Sequence, residues 1–402
     1  MQIERSGPLK GVRVLEIANV IAGPFAGSLL ADYGADVIKI ELPNVGDPFR
    51  EFMPTHNGES LRWSTMARNK RCISLDLRVN KGKEIFLELL KTADIVIENF
   101  RPGIIEKWGI GYEVMKAVNP KVILVRISGY GQTGPYREKA GFGTPATAFS
   151  GYTYLQGFPD RAPVSPPVSL SDYVAGLFGV IGGLSSLTAI LKGEQQEGQV
   201  VDVSLYEPLL RFLDGVVTEH GINGKVPERT PMISGTASPS DIFETKDNKW
   251  VIIVASTPKT WERLAQVMKR ADLISNEKFE SNQQRVTNNE LLIGIIGKWV
   301  KGFTMNEICQ LLDENGIPVS PVNSIEDIMQ NEQFLARQDI ISVPHPVLGQ
   351  INMPNIFPIF SETPCTVRHV GSELGHHNRE VYVSELGMTQ EEYEKLHELG
   401  VI

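Results

Sequence analysis

The first 130 residues alternate between short apolar runs and amphipathic stretches, and this alternation restricts the fold more than any other feature of the chain. VRVLEI (12–17), ADVIKIE (35–41), CISLDL (72–77), DIVIENF (94–100) and KVILVRIS (121–128) read as strands. Their nearly continuous apolar character is that of parallel strands covered on both faces. Between them, GPFAGSLLADYG (23–34), NKGKEIFLELLKTA (80–93) and a stretch around Ile110–Val118 carry apolar residues at helical spacing. Strand and helix repeated in this way predict an α/β fold built on a doubly wound, mainly parallel sheet.

Residues 144–221 read as mostly helical, interrupted by the strand GQVVDVSL (198–205). The character changes after about residue 225. Polar turns such as NGKVPERTP and ETKDNK frame a strand at 250–255, helices near 258–269, 289–299 and 304–315, and a strand at 317–322. A second, smaller α+β domain over 225–335 is expected. It would be inserted between a first part of the large domain (1–224) and a C-terminal segment (336–402) that returns to it. The tail ends in a helical stretch in which Thr389 and Glu392 have capping-box spacing.

Composition narrows the function. The chain has 402 residues, 42% hydrophobic and 22% charged, with a net charge of −9. That balance argues against nucleic acid or an anionic membrane as a main partner, so an anionic ligand must be met by a local cluster of bases. The three cysteines, Cys72, Cys309 and Cys365, lack CxxC spacing, and neither a disulfide framework nor a zinc site is expected. The opening MQIERSGPLKG has no apolar signal-peptide core, and a soluble cytoplasmic protein is expected.

One carboxylate stands out. In SLSDYVAGLFGVIGGLSS (169–186), Asp172 opens a run of nineteen uncharged residues from Tyr173 to Leu191. An aspartate there caps a helix in the ordinary way, and roughly 20 apolar residues suffice to cross a bilayer. Gly176, Gly179 and Gly183 fall on one helical face, however, and suit a buried helix that another backbone approaches closely. The positive end of that helix would keep Asp172 ionised, as a nucleophile requires.

Other motifs are weaker. Strand–glycine–helix–strand–acid at the start suggests a dinucleotide site, but GPFAG is not GxGxxG. What remains is the loop ANVIAG (18–23), which brings backbone amides to a helix start where a ligand can bind. Bases follow strands at Arg68, Lys70, Arg71 and Arg78, and again at Arg101 and Lys107, where α/β sheets hold phosphates. None of the seven histidines lies between residues 57 and 219, and HExxH, GxSxG and the Walker motif are absent. Chemistry at Asp172 would run without a histidine from its sequence neighbourhood, which carboxylate nucleophilic catalysis permits.

PLKGVRVLEIANVIAGPFAGSLLADYGADVIKIE, NKRCISLDL, ADIVIENFRPG, SGYGQTGPY, SDYVAG and GSELGHHNREVYVSELGM together resemble the class III CoA-transferase (CaiB/BaiF) family, in order along nearly the whole chain. The resemblance implies a Rossmann-like CoA-binding domain plus a smaller one, two subunits interlocked as a homodimer, and no tightly bound cofactor or metal. CoA and acyl-CoA would be substrates, exchanged with a free carboxylic acid. It points to Asp172 as the nucleophile that passes through an aspartyl anhydride and an aspartyl-CoA thioester. Family contacts to CoA correspond to Val20, Ile21 and Ala22, then Lys70, Leu75 and Arg78, then Asn99, Phe100 and Lys107. The chain departs from the family at Leu42, where an arginine often contacts the nucleotide. It departs again at ISGTASP (233–239), where formyl-CoA:oxalate members carry four glycines, which argues against oxalate as acceptor. The family's α-methylacyl-CoA racemases use a histidine in a triplet that corresponds here to Gly141, Phe142 and Gly143, and this chain lacks it. Racemisation and non-catalytic CoA binding are the alternatives to transfer.

Overall fold

The computed structural model describes residues 5–229 and 235–402, and its chain divides into two compact units. The first comprises residues 1–153, 165–226 and 336–402; the second comprises 154–164 and 227–335. The larger unit is organised by six parallel strands: β1 (Arg13–Glu16), β2 (Asp36–Glu41), β3 (Arg71–Ser74), β4 (Ile95–Glu98), β5 (Ile123–Ser128) and β6 (Val200–Ser204). Their order across the sheet is β3-β2-β1-β4-β5-β6. The order reverses between β1 and β4, and in such sheets ligands bind at the crevice outside the carboxyl ends of those two strands.

Successive residues point to opposite faces of each strand, and both faces are covered along β1 to β5. Val14, Ile97 and Val125 pack with helix α1 (Ala22–Asp32) and a long helix, α4 (Leu170–Leu191). Leu15, Val96 and Leu124 pack on the other side with α2 (Asn80–Leu90) and with Tyr382 and Val401 of the C-terminal segment. That segment is tied to the sheet edge by the Tyr382 hydroxyl, which donates to the Ser74 carbonyl at 2.6 Å.

The glycine face of α4 is used within the chain. A Cβ on Gly176 would lie 2.8 Å from the Ala22 carbonyl oxygen of α1, and one on Gly179 would lie 3.2 Å from Val125 and Ile127 of β5. Glycine therefore lets α4 lie against both α1 and the sheet. The helix is apolar and long enough to cross a bilayer. It is not buried all round as expected: Leu177, Ile181 and Leu191 on its other side are 43%, 59% and 77% exposed.

The expected helical character of 144–221 holds for α3 (Gly143–Phe149) and α4 but fails between them. Apart from one short 3₁₀ turn at Thr153–Leu155, residues 150–169 form no helix. Pro159, Pro163, Pro166 and Pro167 withhold the backbone donors that a helix needs. In the smaller unit, strands β7 (Ser240–Glu244), β8 (Trp250–Val254) and β9 (Val319–Pro321) form an antiparallel sheet in the order β9-β8-β7. Helices α5 (Pro258–Val267), α6 (Asn289–Val300) and α7 (Met305–Glu314) pack with it around Phe243, Val251, Trp261, Leu292 and Ile308.

Candidate active site

Asp172 is the third residue of α4. Ser169 occupies the cap position without a side-chain bond, so Asp172 is not the cap. The preceding residue, Ser171, is buried, and its hydroxyl donates to the Gly143 carbonyl at 2.7 Å. This bond joins the starts of α3 and α4. A Cβ on Gly143 would overlap the Asp172 carboxylate, so the absence of a side chain there leaves the space that the carboxylate occupies. Tyr173 packs edge-on against Phe25 of α1, with ring centroids 4.8 Å apart.

Burial raises the Asp172 carboxyl from its ordinary 3.8 to about 6, opposed by a hydrogen bond from its own backbone N–H. The expectation that the helix end would hold this group firmly ionised is thus corrected: desolvation outweighs the helix end. Asp172 is still largely ionised at neutral pH, and its proton affinity is that of a stronger base than an exposed aspartate. Among the described residues, no cation contributes to this shift.

The loop Ala18–Gly23 leaves β1 at the reversal of strand order. Val20 has φ of 70°, a left-handed conformation that costs a β-branched residue about 1–3 kcal/mol. Polar contacts hold the loop from several sides. Asn99 accepts from the Asn19 N–H at 2.8 Å and donates to the Asn19 carbonyl at 2.7 Å. The Asp47 carboxylate accepts from the Val20 N–H at 3.0 Å. Lys39 donates to the Ala18 carbonyl, and Lys70 donates to the Pro24 carbonyl at 2.6 Å.

The residues expected to meet CoA therefore separate into groups. Val20, Ile21 and Ala22 form the loop. Leu75, Arg78 and Phe100 line a cleft of about 210 Å³ with Asn19, Leu42, Asp76 and Trp108. In that cleft Phe100 packs edge-on against Trp108 at 4.8 Å, and Arg78 is held by a forked bond to Asp76 at 2.8 Å. Leu42 contributes an apolar wall to this cleft. Lys107 lines a separate cleft of about 590 Å³ with Arg101, Arg126 and Arg137.

Lys70 is a correction. It is fully buried, paired with Glu16 at 2.8 Å, and has no surface on which to meet a phosphate. The Asn99 side chain is likewise engaged by Asn19. Phe142, at the position of the racemase histidine, caps α3 and is 70% exposed. ISGTASP begins within residues 230–234 and so lies partly outside the described residues.

Sequence reasoning missed Glu16, Lys39 and Asp47, all buried. For Glu16 and Lys39 the available signal was a charge in an otherwise apolar strand, VLEI and VIKIE, since such charges are seldom buried unless paired. Asp47 lies outside any strand and carries no such signal. It also missed Arg62, whose guanidinium lies over the rings of Phe49 and Phe52 at 4.8 and 5.8 Å and within 3.5 Å of the Tyr173 hydroxyl. Among the described residues Arg62 has no carboxylate partner within 4 Å.

The doubly wound sheet thus places a strained loop at its reversal point and a half-buried aspartate at an adjoining helix start. Residues 9–378 match the model of CoA-transferase family III, and the chain belongs to that family. It is accordingly an enzyme of the class III CoA-transferases, which act on CoA thioesters. It is 40% identical over 396 residues to the succinyl-CoA–D-citramalate CoA-transferase of Chloroflexus aurantiacus, covering 98% of each chain. To the alpha subunit of the succinyl-CoA–L-malate CoA-transferase of the same organism it is 41% identical over 398 residues, covering 98% of this chain and 92% of the other. A CaiB/BaiF family protein from Brucella suis superimposes with a TM-score of 0.83 at 30% identity, over 94% of this chain and all of that one.

Proposed function

We propose that this enzyme moves CoA from a succinyl-CoA-type donor to a free dicarboxylic acid through Asp172. The observation that carries the reading is the Asp172 carboxylate itself, half-buried against Gly143, with no cation contributing among the described residues, and raised to about 6. A carboxylate of that basicity is ionised at neutral pH and attacks the donor thioester carbonyl, expelling CoA thiolate and leaving a mixed anhydride. The thiolate attacks the aspartyl carbonyl, releases the donor acid, and forms an aspartyl-CoA thioester. The acceptor carboxylate attacks that thioester and again expels the thiolate. Attack of the thiolate on the acceptor's acyl carbonyl then forms the product thioester and returns Asp172 as a carboxylate. Each step exchanges a carboxylate and a thiolate, so no net proton transfer is needed. Backbone N–H groups at the starts of α3 and α4 are suited to stabilise the developing oxyanions.

Two observations support a dicarboxylic substrate. The relatives above are named for succinyl-CoA with citramalate or malate. Arg62, aromatic-walled and without a carboxylate partner among the described residues, offers a planar fork for a second carboxylate beside Tyr173. Val20, Ile21, Ala22, Leu75, Arg78, Phe100 and Lys107 remain the proposed CoA contacts. The same reading includes an interlocked homodimer in the cytoplasm, with residues 225–335 as its smaller domain. The exposed apolar side of α4, with Phe212 and Ile222 beyond it, supports association.

Intact-protein mass spectrometry after incubation with succinyl-CoA, followed by hydroxylamine or borohydride, tests the reading. A modification confined to Asp172, and lost in Asp172→Asn, is expected. Transfer that persists in folded Asp172→Asn protein overturns it.

A further inference from the structure

The larger unit buries two lysines and two carboxylates in one connected cluster at the root of the Val20 loop. Lys39 contacts Asp47 at 2.7 Å and Glu16 at 3.1 Å, and Lys70 contacts Glu16 at 2.8 Å. All four side chains are 0–1% exposed, and two positive charges face two negative ones. Such an arrangement is a poor way to gain stability, because the cost of desolvating the charges offsets most of their attraction. Its free polar atoms, however, converge on one short backbone segment. Asp47 takes the Val20 N–H, Lys39 the Ala18 carbonyl and Lys70 the Pro24 carbonyl. Val20 is the residue at φ 70°. Gly27 completes the fit, since a Cβ there would overlap the Glu16 carboxylate.

We propose that Glu16, Lys39, Asp47 and Lys70 are positioning residues that clamp the Val20 loop in its left-handed conformation, so that CoA thioesters meet a loop already in its binding shape. A strained conformation persists where its surroundings over-determine it, and a loop ordered in advance removes an ordering cost from binding. The clamp also locates α1 relative to the nucleophile, because Ala22 of the loop is the residue against which Gly176 of α4 packs, one turn beyond Asp172. This inference rests on the reading of residues 20–22 as thioester contacts. Its test therefore includes a readout that needs no ligand.

Amide hydrogen exchange and steady-state kinetics with succinyl-CoA would be measured on the full chain for Asp47→Asn and Lys70→Met. Exchange at Val20 and Ile21 is expected to speed up tenfold or more, with β4 and β5 unchanged. KM for succinyl-CoA is expected to rise about tenfold with kcat within threefold, the signature of lost uniform binding. In a Val20→Gly background, where a left-handed φ carries no strain, Asp47→Asn is expected to change KM less than threefold. Unchanged exchange at Val20 overturns the clamp, as does loosening of β4 and β5 to the same extent, which marks an ordinary core cluster. An undiminished effect in the Val20→Gly background also overturns it. Faster exchange with unchanged KM overturns the link to thioester binding. A wild-type protein that forms no Asp172 adduct sinks the transferase mechanism instead, and the exchange data still decide the clamp.

Discussion

Replacing Asp172 by asparagine should abolish transfer and at the same time stabilise the protein. The carboxyl rises from 3.8 to about 6 because burial penalises its charged form. At about 1.4 kcal/mol for each tenfold change in proton affinity, that difference is worth about 3 kcal/mol. The group retains some exposure, which trims the expected gain to about 2–3 kcal/mol. The sign follows from linkage: a carboxyl whose folded value lies above its unfolded value binds its proton more tightly in the folded chain. Below pH 3.8 both states are protonated and the penalty is absent. It grows as pH rises towards 6 and is complete above that. Urea midpoints of wild type and Asp172→Asn at pH 8, 6, 5 and 4 should show the variant more stable at pH 8, with the gap closing as pH falls through 6 towards 4. In parallel, wild-type transfer should fall about tenfold per pH unit below 6 as the nucleophile is protonated. A variant no more stable than wild type at pH 8, or a gap that does not change with pH, refutes the account of Asp172 as a desolvated, uncompensated carboxylate.

The remaining predictions concern the walls of the site. Gly143→Ala places a methyl group where the Asp172 carboxylate sits, and displacing a reacting group by about 1 Å costs on the order of 10² in rate. kcat should therefore drop about 100-fold with the thermal midpoint nearly unchanged, and an active variant means that the carboxylate does not react from this position. Arg62→Met should lower kcat/KM for succinate as acceptor by about 100-fold while leaving a monocarboxylic acid such as butyrate within threefold. Equal losses for both acids assign Arg62 a structural role.

Much of the larger unit was legible because its signal is local. The first five parallel strands bury both faces, so VRVLEI or KVILVRIS reads as an apolar run within a single window, and the intervening helices read by their own period. Asp172 was legible for a related reason, as an isolated charge at the mouth of an uncharged helix. The long-range pairings were not. Lys70 reads as one base in the cluster ARNKR, and nothing near it in sequence announces that Glu16, more than fifty residues earlier, draws it into the interior. A lysine that binds phosphate and one that neutralises a buried glutamate look alike until the fold brings the partner into contact. Asn99 misleads in the same way, since its partner Asn19 lies on a neighbouring strand end eighty positions away.

Asp47 and Asp172 are both removed from water in this unit but are treated in opposite ways, and the difference follows from what each must do. Glu16 and Asp47 are each met by a lysine, and burial of Asp47 is more than compensated by Lys39 and by the N–H groups of Phe49 and Val20, so its carboxyl is pulled below its ordinary value. A carboxylate so satisfied is a weak nucleophile and a good strut, because its electron pairs are already committed to donors. Asp172 is given the desolvation without the cation, and its proton affinity moves the other way. A lysine beside it would recover the stability lost to burial and would also lower the basicity with which it attacks a thioester. The fold therefore sets Lys39 and Lys70 at the root of the Val20 loop, where they hold backbone in place, and among the described residues brings no cation to the Asp172 carboxylate itself. On this argument the cost of an uncompensated Asp172 is intrinsic to its chemistry, which is why the same substitution is expected to remove the activity and strengthen the protein.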